Sequence, residues 1–352
     1  MIEEKNDLPP ATEAVAEWLN NTSNIMGEKS IEKLGFNGLM LFAIGKPRID
    51  VMEWLLKLCP DEKNFSLLLA SRHGKVEAIK WLIKNQNVNV NTKDENGNTP
   101  LLMAAISGEI EAIKCLVSLG ADMHERNDND LSSMDFASME GKTESIKCLA
   151  ELGADVNMKD NEGVTPIFHA ASEDKTESIK CLAELGADVN MKNNEGVTPI
   201  FNASIEGKTE VIKCLAELGA DVNMKSNSGK TPVAFAAKIG QPDSIKCLAE
   251  LGADLNTKND IELTPIFDAA TYGHIECIKC LVDLGVDVNS KVMLGMTPIF
   301  GAAHMGEIET MKYLKTLGAK IDIIAENGMT PINFATNAGH IEAAEWLKAN
   351  SV

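Results

Sequence analysis

The residues of this 352-residue chain with the clearest potential for chemistry are its eight cysteines. Six of them recur at a constant interval of 33 residues, at Cys115, Cys148, Cys181, Cys214, Cys247 and Cys280. Thiolates act as nucleophiles and as zinc ligands, so a regular series of cysteines could form a redox or metal-binding ladder. Cys277 and Cys280 also have the C-x-x-C spacing of some zinc and redox sites.

The spacing of the cysteines fits neither disulfide formation nor zinc binding. A disulfide needs Cα atoms within about 7 Å, whereas helices that stack once per repeat lie about 8–10 Å apart. A zinc site needs about four ligands, and no second cysteine pair or histidine pattern accompanies Cys277 and Cys280. Large apolar residues, Trp81, Tyr313 and Trp346, hold the same position before and after the series. We therefore predict that the cysteines are buried core residues, with the redox or metal ladder as the alternative.

No other group of residues has the spacing of a catalytic site. The six histidines are scattered, and the chain has no Ser/His/Asp grouping, glycine-rich phosphate loop or H-E-x-x-H motif. We predict a protein that is not an enzyme and that uses no cofactor and no metal ion. The alternative is catalysis in residues 1–60, a segment without histidine in which Cys59 is the single cysteine.

The charge of the chain limits its partners. A formal net charge of -19 and a pI near 4.8 disfavour nucleic acids and anionic membranes, both of which attract basic proteins. The N-terminal residues lack the basic and apolar regions of a secretory signal, and no apolar run reaches the about 20 residues that span a bilayer. The many cysteines indicate a reducing compartment. We predict a cytoplasmic protein, with delivery into another cell as the alternative.

Residues 160–192 show most clearly which elements position the cysteines. Gly163 marks a turn, and Thr165-Pro166 is typical of a helix start, with Thr as cap and Pro at the first position. A second helix carries Cys181 and ends at Gly186, which favours a left-handed cap. An extended finger follows. We interpret its Asn190 as a structural residue.

Eight such units follow one another without insertion or deletion, which indicates a stacked array. They begin at Thr99, Ser132, Thr165, Thr198, Thr231, Thr264, Thr297 and Thr330. The order Thr-Pro-Ile, Ala-Ala, Leu-Gly-Ala-Asp-Val-Asn resembles the ankyrin repeat. The resemblance implies an all-α repeat solenoid, elongated and curved, of helix-turn-helix units with β-hairpin-like fingers. Short helices and finger tips then line a concave groove.

The resemblance also predicts how the chain divides. Residues 1–60 are expected to be degenerate capping helices or repeats, including a helix over residues 12–19. Residues 61–93 form a divergent ankyrin repeat, and residues 94–352 form eight consecutive repeats, the last a truncated C-terminal cap. All belong to one continuous solenoid domain. We expect soft points at Ser132-Ser133, which replaces Thr-Pro, and at Glu262, which replaces the turn glycine.

One position departs from the family in every unit. The family usually has His after Thr-Pro-Leu, whereas this chain has Phe there in four of the eight units, as at Phe201 and Phe300. We predict that aromatic packing replaces the hydrogen bonds of the missing imidazole.

In this family the groove is lined by residues around the turn glycine and by the two residues before the inter-helix glycine. These positions are acidic in the earlier units: Glu95, Asp128, Glu140, Glu162, Glu173, Glu195 and Glu206. In the later units they are mostly apolar: Ile239, Ile261, Leu263, Tyr272, Met293, Leu294, Met296, His304, Met305 and Met329. Exposed apolar clusters mark contact sites, and Met suits adaptable ones.

These residues lead to a functional prediction. We predict a non-enzymatic scaffold or adaptor that binds a partner protein in its groove, through a partner segment with a basic and an apolar part. We expect a monomer. The alternative is a self-associating structural protein, joined through the ends of the array or through the Met-rich face.

Overall fold

The computed structural model describes residue 13, residues 15–18 and residues 28–351. Throughout this described part, the chain forms helices and turns and no β-strand. The chain forms two compact units, Met1–Asn161 and Glu162–Val352. The all-α repeat architecture is therefore confirmed, but the fingers are turns rather than hairpins. In one of them, the Asn193 N–H donates to the Val197 oxygen at 2.9 Å and the Gly196 N–H donates to the Asn193 oxygen at 3.0 Å.

The helices follow one another in pairs. The first compact unit contains α1 (Glu28–Gly45), α2 (Ile49–Leu58), α3 (Lys63–Arg72), α4 (Val76–Asn85), α5 (Pro100–Ser107), α6 (Ile110–Ser118), α7 (Ser133–Met139) and α8 (Thr143–Glu151). The second contains α9 (Pro166–Ser172), α10 (Thr176–Glu184), α11 (Pro199–Ile205), α12 (Thr209–Glu217), α13 (Pro232–Ile239), α14 (Pro242–Glu250), α15 (Pro265–Thr271), α16 (Ile275–Asp283), α17 (Pro298–Met305), α18 (Ile308–Thr316), α19 (Pro331–Asn337) and α20 (Ile341–Asn350).

Residues close in the sequence determine where the helices of each pair begin and end, as α13 and α14 show. Pro232 occupies the first turn of α13, where its missing N–H is not needed. Gly240 ends the helix with φ 91°, a left-handed conformation that glycine adopts without steric cost. In α14, Ile245, Cys247 and Leu248 are buried, so a single face of the second helix faces the core.

Like helices pack on like helices within each compact unit. First helix α13 packs against α11 and α15, and second helix α14 packs against α12 and α16. The predicted aromatic packing is confirmed at two steps. The ring centroids of Phe201 and Phe235 lie 5.6 Å apart, and those of Phe300 and Phe334 lie 5.3 Å apart, in edge-to-face geometry.

Several finger asparagines join one unit to the next, which is a structural role of the kind that the sequence predicts. The Asn190 side-chain amide donates to the Gly219 carbonyl oxygen at 3.0 Å and accepts from the Asp221 backbone N–H at 2.8 Å. Asn223 and Asn289 repeat both bonds one unit and three units further on. One side chain thus satisfies a helix-end carbonyl and a loop N–H of its neighbour.

The soft point predicted at Ser132 is wrong. The Asp135 N–H donates to Ser132 Oγ at 3.3 Å, and Asp135 Oδ2 accepts from the Ser132 N–H at 2.8 Å, which together form a capping box. Arg126 adds an ion pair to Asp135 at 3.2 Å. The regular Thr-Pro units are the less satisfied ones. The side-chain hydroxyls of five of their threonines find no partner among the described residues: Thr165, Thr198, Thr231, Thr264 and Thr297.

Two non-glycine residues hold the turn-glycine position in a left-handed conformation. Glu262 has φ 60° and Asp130 has φ 61°. Such a backbone is strained for any residue with a Cβ. Asp130 offsets its strain, because its Oδ2 accepts from the Asn161 N–H at 2.6 Å. The Glu262 side chain makes an exposed ion pair with Lys258 at 3.8 Å, which leaves the strain of its backbone in place, and the soft point expected at Glu262 stays a prediction.

The N-terminal segment contains two more helix pairs, α1 with α2 and α3 with α4. Ile49 and Val76 occupy equivalent places, because each residue begins a second helix. A 3-10 turn, Pro60–Glu62, leads directly from α2 towards α3. For the helix predicted over residues 12–19, residues 15–18 are helical, and Thr12, Ala14 and Leu19 lie outside the described residues.

The cysteine series lies in the second helices, as predicted, and its members are buried except for the half-buried Cys280. Burial raises the pKa of the Cys115, Cys148, Cys214, Cys247 and Cys280 thiols. It raises the pKa of Cys277 furthest, to about 12. The Cys247 thiol donates to the Thr209 carbonyl oxygen at 3.7 Å. The thiols are therefore protonated, poorly nucleophilic core groups.

We expect the substitution Glu262→Gly to stabilise the chain by about 0.5–1 kcal/mol, since relief of left-handed strain exceeds the entropy cost of glycine. Urea denaturation followed by circular dichroism measures the change. Asp130→Gly is the matched control, and it should give no gain because it removes the bond to Asn161. Equal stabilisation by both substitutions would contradict this account.

We also expect the chain to lose stability in alkaline solution. Burial raises the Cys277 pKa from its ordinary value of 9.0 to about 12 in the folded chain. The unfolded chain therefore releases this proton first, and the stability that the buried thiol contributes is complete below about pH 9 and lost as the pH rises towards about 12. The variant Cys277→Ser should lose less stability than the parent protein between about pH 8 and about pH 10. Serine is the residue found at the equivalent positions 145, 178 and 244. Urea denaturation measures the free energy of unfolding of both proteins across this pH range. An equal loss in the two proteins would refute the assignment to Cys277.

Candidate partner-binding surface

The second compact unit has six first helices, and an exposed side chain lies at the C-terminal end of each of the first five. These five residues are Glu173, Glu206, Ile239, Tyr272 and Met305, and we call them the helix row. Each stands immediately before a left-handed residue that directs the chain into the second helix, as Gly240 does after Ile239. Because every step between them is 33 residues, the row samples one position of the repeat.

A second row follows the turns between repeats. It consists of the residues immediately before the left-handed turn position, Glu162, Glu195, Ser228, Ile261 and Leu294, and we call it the turn row. The backbones of four of them, Glu162, Glu195, Ser228 and Leu294, are hydrogen-bonded to the next repeat. The Ser228 oxygen accepts from the Asp260 N–H at 3.3 Å, and the Leu294 oxygen accepts from the Glu326 N–H at 2.8 Å. The backbone is thus fixed while the side chains stay exposed.

The two rows share one face. An open depression of about 380 Å³ is lined by Glu195 and Ser228 of the turn row and by Phe235 of α13. Phe235 lies one helical turn before Ile239, so it points to the same side of α13 as the helix row.

A buried ion pair ties the same face together one repeat further on. Lys230, next to the turn row, reaches Asp268 of α15 at 2.6 Å, and Asp268 lies one turn before Tyr272. Desolvation raises the pKa of Asp268, and the hydrogen bond from Lys230 partly offsets this. Sequence reasoning missed the pair. The sequence did contain a signal for the pair. Lys230 and Asp268 are both charged, whereas the corresponding positions of the preceding repeat hold the uncharged residues Val197 and Phe235.

The chemistry of both rows changes after their second member. Each begins with two glutamates; the helix row is apolar from Ile239 onwards, and the turn row continues with Ser228 and is apolar from Ile261 onwards. Ile261 is 59% exposed and Leu294 42% exposed, and Leu294 also has a left-handed backbone with φ 59°, which is rare for a large aliphatic residue. The Lys238 ammonium lies 5.6 Å from the centre of the Tyr272 ring. This face therefore presents an apolar region beside an acidic one.

The remaining predicted site residues vary in exposure. Met293 and His304 are exposed beside the two rows, and Leu263 and Met329 are half-buried. Met296 is only 6% exposed, against the expectation of a surface residue, because the residue after the turn glycine points into the repeat. In the first compact unit, Glu95, Asp128 and Glu140 are exposed.

The structure offers little for other chemistry. In the part of the chain that it describes, no three residues among His, Cys, Asp and Glu are grouped to hold a metal ion. No described helix is both long enough and apolar enough to cross a bilayer. The C-x-x-C pair lies within α16, where both thiols have raised pKa values.

Comparison with known proteins agrees with this architecture. The family model described as ankyrin repeats (3 copies) matches residues 16–128, 134–226, 218–292 and 269–352. These matches include the N-terminal helix pairs, where the resemblance read from the sequence is weak. A search of curated proteins gives no match. Since the matched segments cover most of the chain, and the helix pairs, left-handed glycines and finger asparagines recur with the same period, the chain belongs to the ankyrin repeat family.

Proposed function

We propose that this protein is a non-enzymatic scaffold or adaptor, which binds a partner protein on the face formed by the helix row and the turn row. The observation that carries the proposal is the exposure of Ile239, Ile261, Tyr272, Leu294 and Met305 at successive equivalent positions. Isolated exposed apolar residues are ordinary, whereas contiguous ones mark contact surfaces. Ankyrin repeats generally mediate protein–protein interaction, and the family match supports this function at that level.

The apolar part of the face supplies affinity. Aromatic residues are enriched at the centres of interfaces, and Met adapts its shape to different contacts. Burial of apolar surface contributes about 25 cal/mol per Å² before the costs of association. Tyr272 lies in the middle of the apolar part of the helix row, between Ile239 and Met305, the position expected of an anchor.

The acidic part of the face supplies orientation. Glu173 and Glu206 precede the apolar residues in the helix row, and Glu162 and Glu195 precede them in the turn row. Carboxylates at a rim steer a basic segment and accelerate its association more than they tighten its binding. The partner segment is therefore basic at one end and apolar at the other. The eight free cysteines support a cytoplasmic location, because reducing compartments keep thiols reduced.

Self-association is the second candidate function. It is favoured by Ile324 and Ile341, which are 66% and 69% exposed in the last repeat. If this candidate is right, the mass measured by static light scattering rises with protein concentration and falls in the variant Ile324→Ser/Ile341→Ser. A constant monomer mass would exclude it.

Substitution within the helix row should weaken partner binding. Affinity capture from the cell of origin, followed by mass spectrometry, identifies the partner, and surface plasmon resonance then gives its Kd. The variant Ile239→Ser/Met305→Ser should raise that Kd about tenfold or more, a loss of about 1.4 kcal/mol or more. Both side chains are exposed, so the fold is expected to remain intact.

The matched control carries the same kind of change away from the face. Leu251→Ser/Leu284→Ser replaces two exposed leucines at the ends of second helices. This variant should bind the partner like the parent protein. An unchanged Kd in the helix-row variant would refute the proposed surface.

A further inference from the structure

The helix row has a regular spacing. Successive repeats keep one register, because the inter-helix glycine of each closely approaches the same position of the next. A Cβ at Gly240 would lie 2.7 Å from His274 Nδ1, and a Cβ at Gly273 would lie 2.6 Å from Glu307 Oε2. First helices packed in this way lie about 8–10 Å apart. The five side chains therefore form a ladder with steps of about 9 Å.

Three regular conformations place side chains along such a ladder differently. A polyproline II segment rises 3.1 Å per residue with three residues per turn, so every third side chain returns to one face after about 9 Å. A β-strand alternates faces and returns after about 7 Å or 13 Å. An α-helix comes nearest with every seventh residue, at about 10.5 Å. Polyproline II matches the ladder step most closely, and it needs a shorter segment than the α-helix does.

We propose that the helix row binds a polyproline II segment with apolar side chains at three successive every-third positions and Lys or Arg at the next two. This inference rests on the proposed function and specifies the partner. The apolar side chains contact Ile239, Tyr272 and Met305. The basic side chains reach Glu206 and Glu173, the two remaining steps of the same ladder.

The chemistry of the row fits such a segment. Proline-rich segments bind to aromatic rings, and their preformed conformation lowers the entropy cost of binding. Tyr272 is the aromatic member of the row, 44% exposed, with the Lys238 ammonium near its ring. Glu206 already pairs with Lys208 at 2.5 Å, which shows that a cation is accommodated beside its carboxylate. Glu173 and Glu206 both lie at one end of the helix row, so they favour basic residues at one end of the segment only.

Synthetic peptides test the spacing directly on the full-length protein. Fluorescein-labelled peptides of about 13 residues, with proline at the remaining positions, carry three Leu and two Arg at every-third positions, in both chain directions. Control peptides carry the same three Leu and two Arg at every second position or, in a peptide lengthened with proline to about 17 residues, at every fourth position. A further control places them at every seventh position of an alanine-rich helix. Fluorescence anisotropy gives each Kd.

One every-third peptide should bind at least about tenfold more tightly than all of the controls. Ile239→Ser/Met305→Ser and, separately, Tyr272→Ala should remove that preference. Leu251→Ser/Leu284→Ser should leave it unchanged. Glu173→Gln/Glu206→Gln should weaken the preferred direction and leave the opposite one unaffected.

The inference is overturned if another spacing binds most tightly, if all peptides bind equally or not at all, or if helix-row substitutions leave peptide binding unchanged. These results are separable from failure of the proposed function. If the peptides show no preference while the captured partner still loses affinity in the helix-row variant, the surface is right and the conformation is wrong. If the captured partner binds that variant normally, the proposed function itself is wrong.

Discussion

The packing of each repeat on its neighbour is the constraint on which the rest of the structure depends. A single helix pair buries one face of two short helices, which is too little apolar surface to remain folded alone. Stacking supplies the missing surface, and the asparagine amides close the polar gaps between repeats, as Asn190 does with Gly219 and Asp221. Residues that meet the next repeat are therefore restricted to types that fit there. Residues that point away from it are free to vary.

This division explains why the candidate surface and the core can be told apart. The cysteine series repeats because it lies between second helices, where burial also holds its thiols in the protonated form. The helix row changes from Glu206 to Ile239 in one step because neither side chain is needed for stacking. An exposed position that changes in the same direction at several successive repeats reflects a requirement outside the fold.

The sequence was sufficient to predict the helix pairs, the left-handed glycines and the buried cysteines, because each depends on residues close in the chain or on the period itself. It was insufficient where a contact depends on a particular pair of side chains. The capping box of Ser132 with Asp135 replaces a Thr-Pro start that looked indispensable. Met296 shares a loop with the exposed Leu294, but its side chain faces inward. The left-handed glycine between the two residues, Gly295, reverses the direction in which the next side chain points. Such reversals are geometric and leave no mark in composition.

The Lys230–Asp268 pair has a consequence for how the array assembles. Residues 142–159 and 175–192 are identical, so several repeats offer almost the same packing surface to a neighbour. A chain that exchanged repeats with a second copy, or stacked one repeat out of place, would lose little apolar contact. It would, however, bury Asp268 against an uncharged residue such as Val197, and an unpaired buried charge is strongly destabilising. The pair therefore distinguishes one junction between repeats from the other junctions, and it favours one order of repeats that are otherwise nearly interchangeable.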